Sequence, residues 1–181
     1  SPSRRQRQMC IRDRYRASET DDIEAMNNLI EWLPKNIPDD DETSIVHGDY
    51  RLDNMILKDN QVMGILDWEL STLGHPIADF SYHCLSWRTQ EAFWDQSKLK
   101  ELGIPNEREY MDMYCENTGK DLSKNWEFYM AFNMFKIAGI LQGILGRVRD
   151  GTAASKHAED RGMMVYPLSE AAWKTIKENL L

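Results

Sequence analysis

The sequence predicts an α+β fold that is mostly α, a small β-hairpin carrying a polar loop on a helical body. Three observations point there. Short apolar runs separated by turn residues cluster between positions 44 and 66. From Pro76 onward the apolar residues recur at helical spacing. The 181 residues, 41% hydrophobic, suffice for one compact domain with a core but not for two typical domains.

Taken in order, the chain opens with a basic stretch: six of the twelve arginines fall at or before position 16. SPSRRQRQMCIRDR shows no apolar periodicity, so residues 1–16 are expected to be a non-native or disordered basic tail, with the folded part running from 17 to 181. Thr20 or Ser18 is placed to cap a helix opening with Asp21, Asp22 and Glu24, whose charges suit the positive end of a helix dipole. Ile23, Met26, Leu29, Ile30 and Leu33 give its apolar face, and Pro38 with the acidic run 39–42 ends it. Ser44-Ile45-Val46 reads as a short buried strand, followed by a polar loop from His47 to Asn54. Met55-Ile56-Leu57 and Val62-Met63-Gly64-Ile65-Leu66 read as strands joined by a turn over Lys58-Asp59-Asn60-Gln61. Pro76 suits the first turn of a helix continuing through Phe80 and Leu85. Further helices are expected near 90–101, 106–118 and 126–148, the last ended by Asp150-Gly151, then from about 155 to 180 with an interruption at Pro167. Met111, Met113, Met130 and Met134 read as core filler.

Composition narrows the function classes. The formal net charge is −8, and −12 without residues 1–14, which argues against general nucleic-acid binding. The longest apolar stretches, such as Ile137–Leu145, are broken by Gly and Gln, so no membrane span is expected. No apolar segment follows the basic start as in a secretory signal. Cys10, Cys84 and Cys115 form no CxxC pair, so a reducing cytoplasm is the expected location.

Chemistry concentrates in one place. His47-Gly48-Asp49-Tyr50-Arg51-Leu52-Asp53-Asn54 holds an Asp and an Asn five residues apart, and Asp67 stands where the hairpin's second strand ends. The hairpin reverses the chain and can return Asp67 toward Asn54. Phosphoryl transfer needs such a group. A carboxylate orients and deprotonates an attacking hydroxyl, and hard oxygen donors hold the Mg²⁺ that neutralises the phosphates. Asp49 is therefore the expected base, with Asn54 and Asp67 as metal ligands. Singly, Asp and Asn are common turn formers; the joint pattern is what carries the reading. Metal-dependent hydrolysis by His47, Asp49, His75 and His83 has no supporting spacing.

His47 to Asn54 resembles the catalytic loop of the aminoglycoside phosphotransferase and choline kinase superfamily, which is related to the protein-kinase loop H-R-D-x-x-x-x-N. Leu66-Asp67-Trp68-Glu69 resembles the family's second metal motif, and Gly74-His75-Pro76-Ile77-Ala78-Asp79-Phe80 its G-x-P-x-x-D segment. The resemblance runs from about residue 20 to 181. It implies the C-terminal lobe of a protein-kinase-like fold, with ATP as co-substrate and a small-molecule alcohol as acceptor. It implies that His47 braces the loop, that Arg51 offsets charge on the moving phosphoryl group, and that Glu69 serves the second metal or its water shell. Asp79 is expected to cap or tie down its own helix. The alternative is a non-catalytic kinase-like binding module.

Within the family, the chain is most similar to the kinase-like domain fused ahead of acyl-CoA dehydrogenases, on the 47–54 loop, the hairpin and the run Gly139–Arg147. That likeness implies a hydroxylated acyl-CoA as acceptor. Arg147 and Arg149 would then meet an anionic group, or else simply favour a helix C-terminus. Trp87 and Arg88 would line the acceptor pocket or belong to the core. Only 46 residues precede His47, with no Gly among them and Lys35 as the sole Lys. An N-terminal nucleotide-binding lobe is therefore expected to be absent from the given sequence.

Overall fold

A computed structural model describes residues 4–39, 42–89, 96–155 and 157–181, and their side chains except at 4–9, 96 and 97. In chain order the elements are α1 (Arg4–Ala17), α2 (Glu24–Trp32), β1 (Ser44–Val46), β2 (Met55–Lys58), β3 (Gln61–Ile65), β4 (Thr72–Gly74), α3 (Pro76–His83), α4 (Gln96–Leu99), α5 (Glu107–Thr118), α6 (Trp126–Arg149), α7 (Ala158–Met163) and α8 (Val165–Asn179). The α+β, mostly α architecture is the one expected. Two compact units form, one from residues 1–40 with 127–181 and one from 41–126.

Among the described residues, the regular elements of the first unit are all helices. Ala25, Met26, Leu29 and Ile30 of α2 are buried, and α2 packs on α8, whose Val165, Leu168, Ala172 and Ile176 follow the helical period. α6 adds Phe128, Tyr129, Met130, Ala131, Met134, Phe135 and Ala138. It is long and apolar enough to cross a membrane by length and composition, despite its Gly and Gln, and most of it is buried inside the protein.

The N-terminal stretch departs from expectation. Residues 4–17 are helical, and Tyr15 is fully buried. Ile11 and Tyr15 lie one turn apart on a face that the surrounding arginines obscure in the sequence. A Cβ on Gly139 would stand 3.2 Å from Ile11 Cγ2, and one on Gly146 3.2 Å from the Ser18 carbonyl. Between them Gln142, also buried, donates from Nε2 to the Ser18 carbonyl (2.6 Å) and Thr20 Oγ1 (2.8 Å). The α6 glycines therefore form a shallow strip on which the N-terminal segment lies. Thr20 and Ser18 do not cap α2: its N-cap is Ile23, with no side-chain cap, and Ser18 Oγ donates back to the Arg14 carbonyl. Arg149 is engaged within this unit, donating to the Thr20 carbonyl (2.5 Å) and to Asp21 (2.8 Å), which also accepts from Tyr166. That pairing holds the Asp21 carboxyl below its usual range, the Tyr166 hydrogen bond first and Arg149 second. Pro167 is the third residue of α8 and lies in its first turn, where a missing N–H costs nothing, so the break falls at Met164 instead.

The second unit carries two small antiparallel pairs. β2 and β3 form the hairpin, with Met55 opposite Ile65 and Lys58 opposite Gln61. Asp59 and Asn60 turn it with φ of 51° and 60°, the left-handed conformation that two-residue hairpin turns require. β1 pairs with β4, Ser44 opposite Gly74 and Val46 opposite Thr72. β4 is not evident in the sequence, being three residues long and a strand only through a partner 28 positions away in register. β1 is not a buried strand: Ile45 is 74% exposed and only Val46 is buried. α5 begins at a capping box, Asn106 accepting from the Glu109 amide while Glu109 accepts from the Asn106 amide. Met113, expected in the core, is half exposed on α5, whereas Met111, Met130 and Met134 are buried. Of the helix expected near 90–101, residues 90–95 lie outside the described residues, as do residues 40 and 41 of the acidic run 39–42.

A Cβ on Gly162 of α7 would lie 2.9 Å from both Cα and Cβ of Leu145 on α6, backbone that cannot swing aside. Helix propensity favours Ala over Gly by about 1 kcal/mol, but overpacking costs about 1–3 kcal/mol. The overpacking cost outweighs the gain, and Gly162→Ala is expected to lower stability by about 1 kcal/mol, and by no more than about 2, in urea unfolding.

Candidate active site

The polar loop leaves β1 at His47 and is held from α3. Asp79, in the first turn of α3, accepts the His47 backbone N–H on Oδ2 (2.8 Å) and the Gly48 N–H on Oδ1 (2.8 Å). The carboxylate thus ties down the loop rather than its own helix. Gly48 turns with φ +86°, and a Cβ there would stand 2.7 Å from the Leu70 carbonyl oxygen, so only glycine fits the crossing. His75 caps α3, its Nδ1 accepting from the Ile77 N–H at 3.2 Å, and Pro76 follows in the first turn.

His47 is buried and bridges the loop to the hairpin's exit. Its Nδ1 accepts from the Asp49 N–H at 3.3 Å, so the ring proton sits on Nε2, which donates to the Leu66 carbonyl at 2.8 Å. Trp68 lies against the ring with centroids 4.8 Å apart and anchors itself through Nε1 to the Ile65 carbonyl at 2.9 Å.

Around Asp49 the donors converge. Asn54, buried, donates from Nδ2 to the Asp49 carbonyl (2.8 Å) and to Oδ2 (3.1 Å). Arg51 Nε stands 3.3 Å from the same Oδ2 and also faces Asp53. Tyr82 of α3 donates its hydroxyl to Oδ1 at 2.9 Å. Burial, followed by the Asp49 hydrogen bond, pushes the Tyr82 hydroxyl up to about 12, so it stays a donor throughout the neutral range. Asp49, Arg51 and Asn54 are therefore together, with His47 supporting them.

Asp67 arrives by the backbone. The Leu66 N–H donates to the Asn54 carbonyl at 2.8 Å, extending the hairpin ladder by one bond. Asp67 follows directly in the left-handed region, φ 62° and ψ 55°, which Asp tolerates better than most residues. It begins the single turn Trp68–Leu70 that carries Glu69. Asp67 and Glu69 are both exposed, and among the described residues no hydrogen bond or ion pair ties either one to Asp49. For a magnesium ion the donor chemistry fits. With Nδ2 of Asn54 committed to Asp49, the amide oxygen is the atom that remains, and the exposed Asp67 carboxylate adds a second hard oxygen.

Two residues of this network were not expected as parts of the site. Tyr82 gave no sequence signal beyond its place one turn after Asp79. Asp79 was legible only as part of a motif. The other aromatic and basic candidates build the frame. Trp87 donates to the Pro105 carbonyl at 3.2 Å and stacks on Tyr110, while Arg88 forms a bidentate pair with Glu107, which also accepts from Trp126 Nε1. His83 places Nδ1 3.1 Å from the Tyr50 carbonyl and Nε2 3.1 Å from the Tyr110 hydroxyl. The carbonyl can only accept, so Nδ1 carries the proton and Nε2 accepts. Burial holds this imidazole below its ordinary range, against the Tyr50 carbonyl and the Asp79 charge, which both pull it upward.

The phosphotransferase enzyme family model matches residues 3–114. Mouse (Mus musculus) acyl-CoA dehydrogenase family member 10 is 45% identical over 166 residues, which is 88% of this chain and 16% of that protein. Human (Homo sapiens) acyl-CoA dehydrogenase family member 11 is 39% identical over 170 residues, 90% of this chain and 22% of that protein. A Ralstonia eutropha JMP134 crystal structure, assigned to an aminoglycoside phosphotransferase, superposes with a TM-score of 0.89 at 47% identity. It covers 98% of this chain, which spans 57% of the solved one.

Two outcomes follow from the geometry. Asp79→Ala leaves two loop amides without their charged acceptor and is expected to cost about 1.5–3 kcal/mol in chemical denaturation. His83 binds a proton more readily unfolded than folded, so its contribution is complete above its ordinary value near 6.5 and is lost as pH falls below it. The urea midpoint of the wild type should drop between pH 6.5 and 5 more steeply than that of His83→Gln, and parallel curves would remove His83 as the cause.

Proposed function

The chain belongs to the phosphotransferase enzyme family, and on that premise we propose that it moves the γ-phosphate of ATP to an alcohol group of a small molecule. The observation that carries this is the convergence on Asp49. One carboxylate sits on a loop clamped at both ends, with Asn54 and Arg51 on one oxygen and Tyr82 on the other.

In this reading Asp49 is the base. As the acceptor's hydroxyl oxygen forms a bond to the γ-phosphorus, its proton passes to Asp49, and the bond from phosphorus to the bridging oxygen breaks with its electron pair going to ADP. Asn54 and Asp67 would hold Mg²⁺, with Glu69 near its water shell. When bound, the ion supplies charge neutralisation at the phosphates. Arg51, 56% exposed at its side chain, can leave Asp49 for the transferring phosphoryl group, where a cation offsets developing charge. His47 fixes the Asp49 backbone through the Asp49 amide.

The favoured acceptor is a hydroxylated acyl-CoA, because the relatives carrying this segment are named as acyl-CoA dehydrogenase family proteins. By the same relation the parent protein would join this segment to an acyl-CoA dehydrogenase.

The test is Mg²⁺-dependent ADP formation by the chain, alone and within its longer parent, across hydroxyacyl-CoAs, aminoglycosides and simple alcohols. Asp49→Ala should lower kcat by about 100-fold or more, and EDTA should abolish turnover until Mg²⁺ is restored. An Asp49→Ala rate equal to wild type would remove the base assignment.

A further inference from the structure

Tyr82 lies on α3 one turn after Asp79, so the two side chains share a helix face. Asp79 holds the backbone of residues 47 and 48, while Tyr82 reaches the side chain of residue 49. One rigid helix therefore fixes both the path of the loop and the direction of its carboxylate. The two oxygens of Asp49 are not equivalent. Oδ2 faces Asn54 Nδ2 at 3.1 Å and Arg51 Nε at 3.3 Å, whereas among the described residues Oδ1 takes the single donor Tyr82, at 2.9 Å. A carboxylate oxygen offers two lone-pair sites. Oδ2 carries the Asn54 hydrogen bond with the Arg51 cation beside it, whereas Oδ1 carries the Tyr82 hydrogen bond alone and keeps one site open on the side away from that cation.

We propose that Tyr82 is a positioning residue for phosphoryl transfer: its hydroxyl locks the Asp49 carboxylate so that Oδ1 receives the proton of the acceptor alcohol. This rests on the assignment of Asp49 as the base. The hydroxyl does not itself take the proton; it remains bonded to Oδ1 before and after, and the proton moves only from the acceptor oxygen to the second lone pair of Oδ1. Burial keeps Tyr82 protonated across the working range, which suits a fixed donor and not a relay. Without the hydroxyl, Oδ1 loses its fixed donor and the carboxylate can rotate about its Cβ–Cγ bond.

Tyr82→Phe tests this, since the ring and its packing remain. In the parent protein carrying this chain, kcat is expected to fall roughly 10- to 100-fold, the cost of a misdirected reacting group. KM for ATP should stay unchanged. A purely structural role, loosening the loop as a whole, would move KM for ATP together with kcat. A second readout needs no turnover: the Asp49 side-chain carboxylate ¹³C signal at neutral pH, identified by its loss in Asp49→Asn, should shift in Tyr82→Phe. Wild-type kcat in Tyr82→Phe would overturn the proposal. If the wild type transfers no phosphate to any acceptor, the function reading fails first, and an unmoved carbon signal then overturns the Tyr82 contact independently.

Discussion

The site depends on one carboxylate accepting two adjacent backbone amides. Asp79 takes the N–H groups of His47 and Gly48 at 2.8 Å each, and the loop that follows has its course set at its first two amides. Charge-assisted hydrogen bonds of this kind are stronger than neutral ones, and two on one carboxylate fix orientation as well as distance. The crossing this imposes brings residue 48 so close to the Leu70 carbonyl that no side chain is tolerated there. Glycine at 48 is thus a consequence of the clamp.

From that anchor the rest is assembled by short reaches. His47 spans from the loop to the hairpin's exit, accepting on one nitrogen and donating on the other, so a single imidazole sets the spacing between the Asp49 backbone and Leu66. Asn54 closes the loop on itself by donating to both the backbone and the side chain of Asp49. The backbone bond from Leu66 to Asn54 continues the β2–β3 ladder up to the residue before Asp67. Each contact is polar and half-buried, where hydrogen bonds are stronger than in water and an unmade one costs more.

Around this polar centre the second unit exposes a series of large apolar side chains. Ile45, Leu52, Ile56, Leu57, Val62, Met63, Leu66, Trp68, Leu70 and Leu73 are each about half exposed or more, all between positions 45 and 73. The supporting frame behind the loop is by contrast well filled. Phe80 stacks on Tyr114 at 3.9 Å and meets Tyr110 and Trp126, and the Arg88–Glu107 pair joins α5 to the turn after α3. Trp87 and Arg88 belong to that frame, so the polarity that suggested an acceptor pocket in the sequence is spent on internal pairing.

The sequence by itself determined the mostly helical class, the hairpin with its two-residue turn, and the residue types at 47, 49, 54 and 67, because strand alternation, helical period and turn chemistry are local properties of a chain. It also suggested the family, through a spacing of charged and amide residues that chance seldom produces. What it did not show was decided by contacts between distant positions. β4 is a strand only because β1 lies beside it. Residues 4–17 are helical, with Tyr15 covered and the following residues lying on the glycine strip of α6, although nothing within SPSRRQRQMCIRDR signals a core. Asp79 serves the loop rather than its own helix, and Tyr82 reaches Asp49 across 33 positions of sequence. Such partners carry no periodicity of their own, so only the folded chain brings them within hydrogen-bond distance.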